Sequence, residues 1–160
     1  MKENLIGKLL GYIRDNNPDI LFALEAEDKL RPWLYEKIDG IEDLLLELKS
    51  NKQPDYIIEE ACMQELTKDL RPSRHNYILN LLEQEFESDY KWLVQSGLLQ
   101  HEVINMIGYC QPVFNDLKFS EENEDNRFIR YAICGALSEY LDSNRVNENV
   151  SNELQHSAET

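Results

Sequence analysis

Apolar residues recur at intervals of three and four along most of the chain, and the strict alternation typical of a β-strand is hard to find. The first apolar stripe runs from Leu5 to Ile13, and Asn17-Pro18 follows it closely. Proline lacks the amide hydrogen that a helix interior needs, so the helix has to end before it. The spacing therefore predicts a first helix over residues 3–15.

Six further stretches show the same helical spacing, and most are separated by proline, glycine, serine or asparagine. We expect helices over residues 20–30, from Pro32 to Leu48, from Pro54 to Leu66, from Tyr77 to about residue 93, from Leu99 to Cys110, and from Phe128 to Leu141. Pro112 is expected to kink or end the helix that begins at Leu99.

These stripes predict an all-α fold, a single-domain bundle or orthogonal array of six or seven helices over residues 1–142. At 160 residues the chain has the size of one ordinary domain, so we expect one hydrophobic core. After Asp142 the sequence is polar and aperiodic, and residues 143–160 are expected to form a disordered C-terminal tail. No repeat at the period of a solenoid protein is found.

Composition and charge narrow the kinds of partner. The chain is 42% apolar and 29% charged, which is typical of a globular protein. Its first residues lack the continuous apolar run expected of a signal peptide, and no apolar stretch of 18 residues occurs. We therefore expect a cytoplasmic protein with no membrane association. The formal net charge of −15 disfavours nucleic acid and favours another protein, in particular a basic one. The oligomeric state does not follow from the sequence.

Few residue patterns point to chemistry. The chain contains none of the common nucleotide-binding, metalloprotease or hydrolase motifs, so we expect no enzymatic activity and no cofactor. Its three cysteines, far apart in sequence, are interpreted as buried, reduced thiols; these are Cys62, Cys110 and Cys134. Its three histidines do not have the spacing of a metal site; these are His75, His101 and His156.

Other polar and aromatic residues have simple structural interpretations. Glu83 and Glu87 share a predicted helix face, as do Glu121 and Asp125, and both pairs are interpreted as solvated surface rather than an acid–base pair. The two tryptophans, Trp33 and Trp92, are interpreted as core or groove residues.

The short basic segment RPSRH, residues 71–75, allows two interpretations. Ser73 is placed to cap a following helix, whose exposed amides, together with Arg71 and Arg74, could bind an anion. The simpler interpretation is a joint between two helices, with the arginines neutralising acids such as Glu65 and Asp69. We favour the joint.

The order of several short features resembles a family of small uncharacterised all-helical proteins, found mainly in Bacteroidetes genomes and their conjugative elements. The features are Asn17-Pro18, the run EACMQEL, Ser73 followed by YILNLLEQEF, the run QPVF, and a final tyrosine-bearing helix. They cover most of residues 5–141, although the segment from Asp19 to Lys52 departs from the pattern. The resemblance implies a helical fold, no transferable catalytic residue and an association with mobile elements.

Three functional hypotheses remain open. The first is a non-enzymatic protein-binding module that uses a helix groove or an acidic face. The second is an acidic inhibitor of a basic partner, either an immunity-type protein or a mimic of nucleic acid. The third is a nucleic-acid-binding regulator that uses Arg71 and Arg74.

Overall fold

The computed structural model describes the backbone of residues 1–158 and the side chains of residues 1–144. Over these residues the chain is helical, as predicted, with nine α-helices and one short 3₁₀ helix. The α-helices are α1 (Lys2–Asn16), α2 (Pro18–Ala26), α3 (Leu30–Gly40), α4 (Glu42–Ser50), α5 (Asp55–Thr67), α6 (Arg74–Glu85), α7 (Glu87–Ser96), α8 (Leu99–Asp116) and α9 (Arg127–Ala158), and the 3₁₀ helix is Lys68–Leu70. The predicted disordered tail, residues 143–160, lies almost wholly outside the described side chains and stays a prediction.

The predicted number of six or seven helices is too small for the described residues, because two stretches predicted as continuous are each broken at a single residue. Ile41 separates α3 from α4, and Phe86, with φ −134° and ψ 52°, separates α6 from α7. Ile41 is itself buried and continues the apolar stripe. A one-residue break of this kind leaves the spacing of apolar residues almost unchanged, so the pattern does not reveal it.

Pro112 does not end its helix, since α8 continues through it to Asp116. A proline inside a helix costs roughly 3 kcal/mol. The residues beyond it offset this cost, because Phe114 is fully buried and its ring packs 4.8 Å from that of Phe119 and 5.9 Å from that of Tyr77. Core packing therefore decides where α8 ends, rather than local helix propensity.

The chain divides into two compact units, residues 1–76 and residues 77–160. Each unit has its own cluster of buried apolar residues, where the sequence analysis expected one core. The first cluster consists of Leu5, Leu9, Ile13, Leu34, Ile38, Ile41, Leu45, Ile58, Cys62, Leu66 and Leu70. The second consists of Ile78, Leu81, Leu82, Leu93, Val103, Met106, Ile107, Cys110, Phe114, Ile129, Ile133, Leu137 and Leu141.

The two units repeat the same series of local features, 69 residues apart. Asn17 breaks the first unit's leading helices with φ −133° and ψ 54°, almost the dihedral angles of Phe86. The following helix ends in both units with a residue of positive φ, Asp28 at 56° and Gly97 at 74°. The next amide then bonds to the carbonyl five residues back, from Lys29 to Leu24 and from Leu98 to Leu93. These bonds close the same type of helix C-terminal turn.

The last helices of the two units also match, at an offset of 71 residues. The buried apolar residues of α5 and the adjoining 3₁₀ helix are Ile58, Cys62, Leu66 and Leu70, and those of α9 are Ile129, Ile133, Leu137 and Leu141. Each set is spaced by four, so one face of each helix is buried. The chain thus contains an internal repeat, which the search for a solenoid period did not find.

Candidate functional site

The joint at residues 71–75 fastens the start of α6 to the end of α1. The Ser73 hydroxyl accepts a hydrogen bond from the Asn76 amide at 3.0 Å, which confirms the predicted N-cap. The same hydroxyl donates to the backbone carbonyl of Asn16. The Asn76 side chain also donates to the Asn16 side-chain oxygen at 3.0 Å. Ser73 is thus both a helix cap and a tertiary contact.

Arg71 contributes to the same joint through contacts with the backbone of α5. Its guanidinium donates to the backbone carbonyls of Thr67 at 3.4 Å and Gln64 at 3.3 Å, in the last turn of α5. The acids expected to pair with the arginines have lysine partners, Lys68 for Glu65 and Lys37 for Asp69. Arg71 therefore interacts with the negative end of a helix dipole.

Two buried oxygens at the joint have no hydrogen-bond partner among the described residues, Asn17 Oδ1 and Asp19 Oδ1. Burial raises the pKa of the Asp19 carboxyl, while hydrogen bonds from the backbone amides of Asp19 and Ile20 and the nearby charge of Arg74 oppose that rise. Unpaired acceptor oxygens favour a hydrogen-bond donor and disfavour an anion. The geometry therefore supports the helix joint and gives no support to an anion site.

The cysteines are all free thiols; Cys62 and Cys110 are buried and Cys134 is half-buried. Burial raises the pKa of each, and that of Cys110 reaches about 11. A thiol of high pKa is a poor nucleophile at neutral pH. The prediction of buried thiols is therefore confirmed for Cys62 and Cys110, whereas Cys134 is only half-buried.

No group of three or more histidine, cysteine, aspartate or glutamate residues within the described part of the chain could hold a metal ion. His101 is exposed, and the side chain of His156 lies outside the described residues.

The four paired carboxylates are exposed, as predicted, but neither pair shares a helix. Glu83 lies in α6 and Glu87 in α7, while Glu121 and Asp125 lie in the loop before α9. Exposed carboxylates are typical of ordinary protein surface.

The second unit contains a groove with a cavity volume of about 550 Å³, which we call the α8–α9 groove. Residues of α7, α8 and α9 and of the α7–α8 turn line it: Asp89, Trp92, Leu93, Leu98, Glu102, Asn105, Met106, Tyr140, Leu141 and Asn144. Its floor belongs to the buried core, through Leu93, Met106 and Leu141. The groove therefore has a buried, apolar base.

The rim of this groove exposes two large apolar side chains. Trp92 is 48% exposed and Leu98 is 41% exposed. The left-handed turn at Gly97 ends α7 and leads directly to Leu98. Exposed aromatic and aliphatic groups beside a concave surface are typical of binding sites.

Carboxylates give the α8–α9 groove a negative potential. Glu102 accepts a hydrogen bond of 2.6 Å from the Tyr140 hydroxyl. Burial, together with this bond, raises the pKa of Tyr140, so the phenol stays neutral and fixes the carboxylate. Asp89 adds a second acid, and no lysine or arginine occurs among the described lining residues. A cation next to Trp92 would gain from both the acids and the ring face.

The first unit has a second groove, of about 410 Å³, which we call the α3–α5 groove. Its lining residues come mainly from α3 and from the segment formed by α5 and the 3₁₀ helix: Trp33, Glu36, Lys37, Gly40, Ile41, Glu65, Leu66, Lys68 and Asp69. Unlike the α8–α9 groove, it includes two lysines. Each unit thus combines one tryptophan with several acids.

The residues that line these grooves follow only in part from the sequence. The interpretation of Trp33 and Trp92 as core or groove residues is confirmed, since each lines a groove. Asp89, Glu102 and Tyr140 were missed because they lie on three different helices, and no local motif connects them.

No protein-family model, curated protein or solved structure matches the chain. The resemblance to helical proteins of Bacteroidetes therefore stays a prediction. None of the helices within the described residues is long and apolar enough to cross a membrane.

Proposed function

We propose that the chain is a non-enzymatic protein-binding module whose second unit takes a basic partner protein in the α8–α9 groove. The observation that carries this proposal is the exposed ring of Trp92 in a groove with Asp89 and Glu102. Aromatic residues with a polar rim are a common arrangement of interaction hot spots.

The distribution of charge supports a basic partner. The second unit carries five basic and fifteen acidic residues, a formal charge of −10, whereas the first carries eleven and sixteen, a formal charge of −5. Opposite charge on a partner accelerates encounter and suppresses wrong partners. The same features suit an inhibitor that covers the basic site of another protein.

The experiment is a fluorescence-anisotropy titration of labelled hexa-arginine amide with the full chain at low salt. The test variant is Asp89→Asn combined with Glu102→Gln, which keeps the shape of the groove. The matched control is Glu121→Gln combined with Asp125→Asn, which removes the same charge from an exposed loop of the same unit.

We expect the groove variant to weaken binding about tenfold, roughly 1.4 kcal/mol, because ion pairing at a specific site is lost. The loop control should change affinity less than about threefold, since exposed charges are screened. Equal losses in the two variants would mean that the peptide follows the net charge of the chain, and the proposal would then be wrong.

A further inference from the structure

Four residues that line the α3–α5 groove have counterparts in the second unit, at the two offsets of the internal repeat. The pairs are Trp33 with Glu102 and Gly40 with Tyr109 at the offset of 69, and Lys68 with Glu139 and Asp69 with Tyr140 at the offset of 71. The second unit therefore shows what kind of side chain lies at this place in the repeat.

In the second unit, the side chain of Tyr109 fills this place. Its ring lies 5.5 Å from the ring of Tyr140, centre to centre, in a tilted arrangement. Its hydroxyl donates a hydrogen bond of 3.2 Å to Glu139 Oε2. Tyr109 is 46% exposed, so about half of its surface is covered. One ring and one carboxylate of α9 thus hold a tyrosine that comes from α8.

In the first unit, the corresponding residue is Gly40, and a groove of about 410 Å³ remains open beside it. A Cβ atom added at Gly40 would meet nothing within 4 Å. The base of the groove is apolar, because Ile41 is 5% exposed and Leu66 is 1% exposed. The α3–α5 groove is therefore open where Tyr109 lies in the second unit.

The walls of the α3–α5 groove offer a ring and a carboxylate, the two kinds of group that hold Tyr109. Trp33 provides the ring and Asp69 the carboxylate. The Lys37 ammonium lies 5.6 Å from the centre of the Trp33 ring, and the groove is open alongside it. Lys68 adds a hydrogen-bond donor, so the rim can both donate to and accept from a phenol hydroxyl.

We infer that the α3–α5 groove is a binding site for a tyrosine side chain of a partner protein, which takes the place that Tyr109 fills in the second unit. The ring of this tyrosine packs on Ile41 and Leu66 beside Trp33, and its hydroxyl bonds to the polar rim. The site uses no residue of the α8–α9 groove, so its test is independent of the proposed function.

The experiment adds acetyl-Gly-Gly-Tyr-Gly-Gly-amide to the ¹⁵N-labelled full chain and records the two indole N–H signals by NMR. Trp33 reports on the α3–α5 groove, and Trp92 is the internal reference. We expect the Trp33 signal to shift with a dissociation constant on the order of 1–10 mM, because one side chain makes few contacts. The Trp92 signal should stay in place. The same peptide with leucine instead of tyrosine should bind about threefold to tenfold more weakly, since it lacks the ring.

Gly40→Tyr is the test variant, because it supplies the tyrosine from the chain itself, as the second unit does. It should weaken binding of the tyrosine peptide by about tenfold or more. The matched control is Gly7→Tyr, since Gly7 is another exposed helical glycine of the first unit at which an added Cβ would meet nothing within 4 Å. The control should bind the peptide like the natural chain. Gly40→Gln is the second test variant, used if Gly40→Tyr does not fold.

Several results would overturn the tyrosine site. An unmoved Trp33 signal would show that the groove does not take the peptide, and equal shifts of Trp33 and Trp92 would show unspecific contact. Equal binding of the leucine peptide would show that the groove does not select a ring. Unchanged binding in the folded Gly40 variant would place the peptide elsewhere. The hexa-arginine titration of the α8–α9 groove is unaffected by any of these results.

Discussion

The side-chain amide of Asn76 donates a hydrogen bond of 3.0 Å to the side-chain oxygen of Asn16, a residue sixty positions earlier in the chain. Asn76 lies in the first turn of α6, and Asn16 is the last residue of α1. Together with the Ser73 cap, this contact makes the start of α6 part of the packing of the first unit. The joint therefore depends on tertiary structure as well as on local sequence.

Ser73→Ala is expected to lower the free energy of unfolding by about 1–2 kcal/mol, since loss of an N-cap typically costs 0.5–2 kcal/mol. The upper part of the range applies because the hydroxyl also donates to the Asn16 carbonyl. Urea unfolding followed by circular dichroism measures the change. Ser50→Ala is the control, because that exposed hydroxyl bonds only within its own helix. A loss no larger than that of the control would contradict the role of Ser73 as a cap.

Truncation of a side chain in either buried cluster is expected to lower the free energy of unfolding. Leu9→Ala in the first unit and Ile78→Ala in the second should each cost about 2–5 kcal/mol, because both side chains are fully buried. Leu46→Ala, at a position 59% exposed, should cost less than about 0.5 kcal/mol. Urea unfolding of the three variants tests the assignment. A cost below about 1 kcal/mol at either buried position would show that its core assignment is wrong.

The thiols should differ in reactivity. Cys134, which is half-buried, should react with iodoacetamide first, whereas Cys62 and Cys110 should react only after unfolding in urea. Burial raises the pKa of Cys110 to about 11, so roughly one molecule in a thousand carries its thiolate at pH 8. Peptide mass spectrometry after timed labelling gives the order. Labelling of Cys110 as fast as Cys134 in the folded protein would count against its burial.

Ionisation of the Asp19 carboxyl is expected to lower the free energy of unfolding as the pH rises. Burial raises the pKa of its carboxyl in the folded chain, so folding favours the protonated form. The contribution of this carboxyl to the free energy of unfolding is fully present at pH values below its pKa in the unfolded chain. It is lost as the pH rises through the pKa of the carboxyl in the folded chain. Asp19→Asn should therefore gain stability relative to the natural chain between pH 3 and pH 7.

Urea unfolding at several pH values measures this gain. Asp15→Asn is the matched control, because it removes the same charge from a side chain that is 73% exposed. If the difference between Asp19→Asn and the natural chain does not increase with pH, burial does not govern this carboxyl.

Much of the fold follows from the apolar stripes, because helix spacing records which face is buried. The end of α1 before Pro18 and the cap at Ser73 follow from local chemistry. The breaks at Ile41 and Phe86 do not, since each leaves the stripe in register. The sequence left open whether Pro112 kinks or ends its helix, and the burial of Phe114 accounts for the continuation of α8 past it.

The candidate site was less predictable than the fold. A tryptophan is conspicuous in sequence, and both tryptophans were correctly interpreted as core or groove residues. The acids that share the α8–α9 groove with Trp92 come from α7 and α8, and they resemble any other acid of this chain in sequence. Only tertiary packing distinguishes Asp89 and Glu102 from Glu121 and Asp125.

The internal repeat shows that the same order of helix, break and turn can form from very different residues. Residues 5–46 and 74–115 share only four identical positions at the offset of 69, yet they form the same break, helix and left-handed turn. Burial and turn geometry therefore produce these features with little dependence on residue identity. The order of helices, breaks and turns therefore describes these two segments better than their residues do, since only four positions coincide between them.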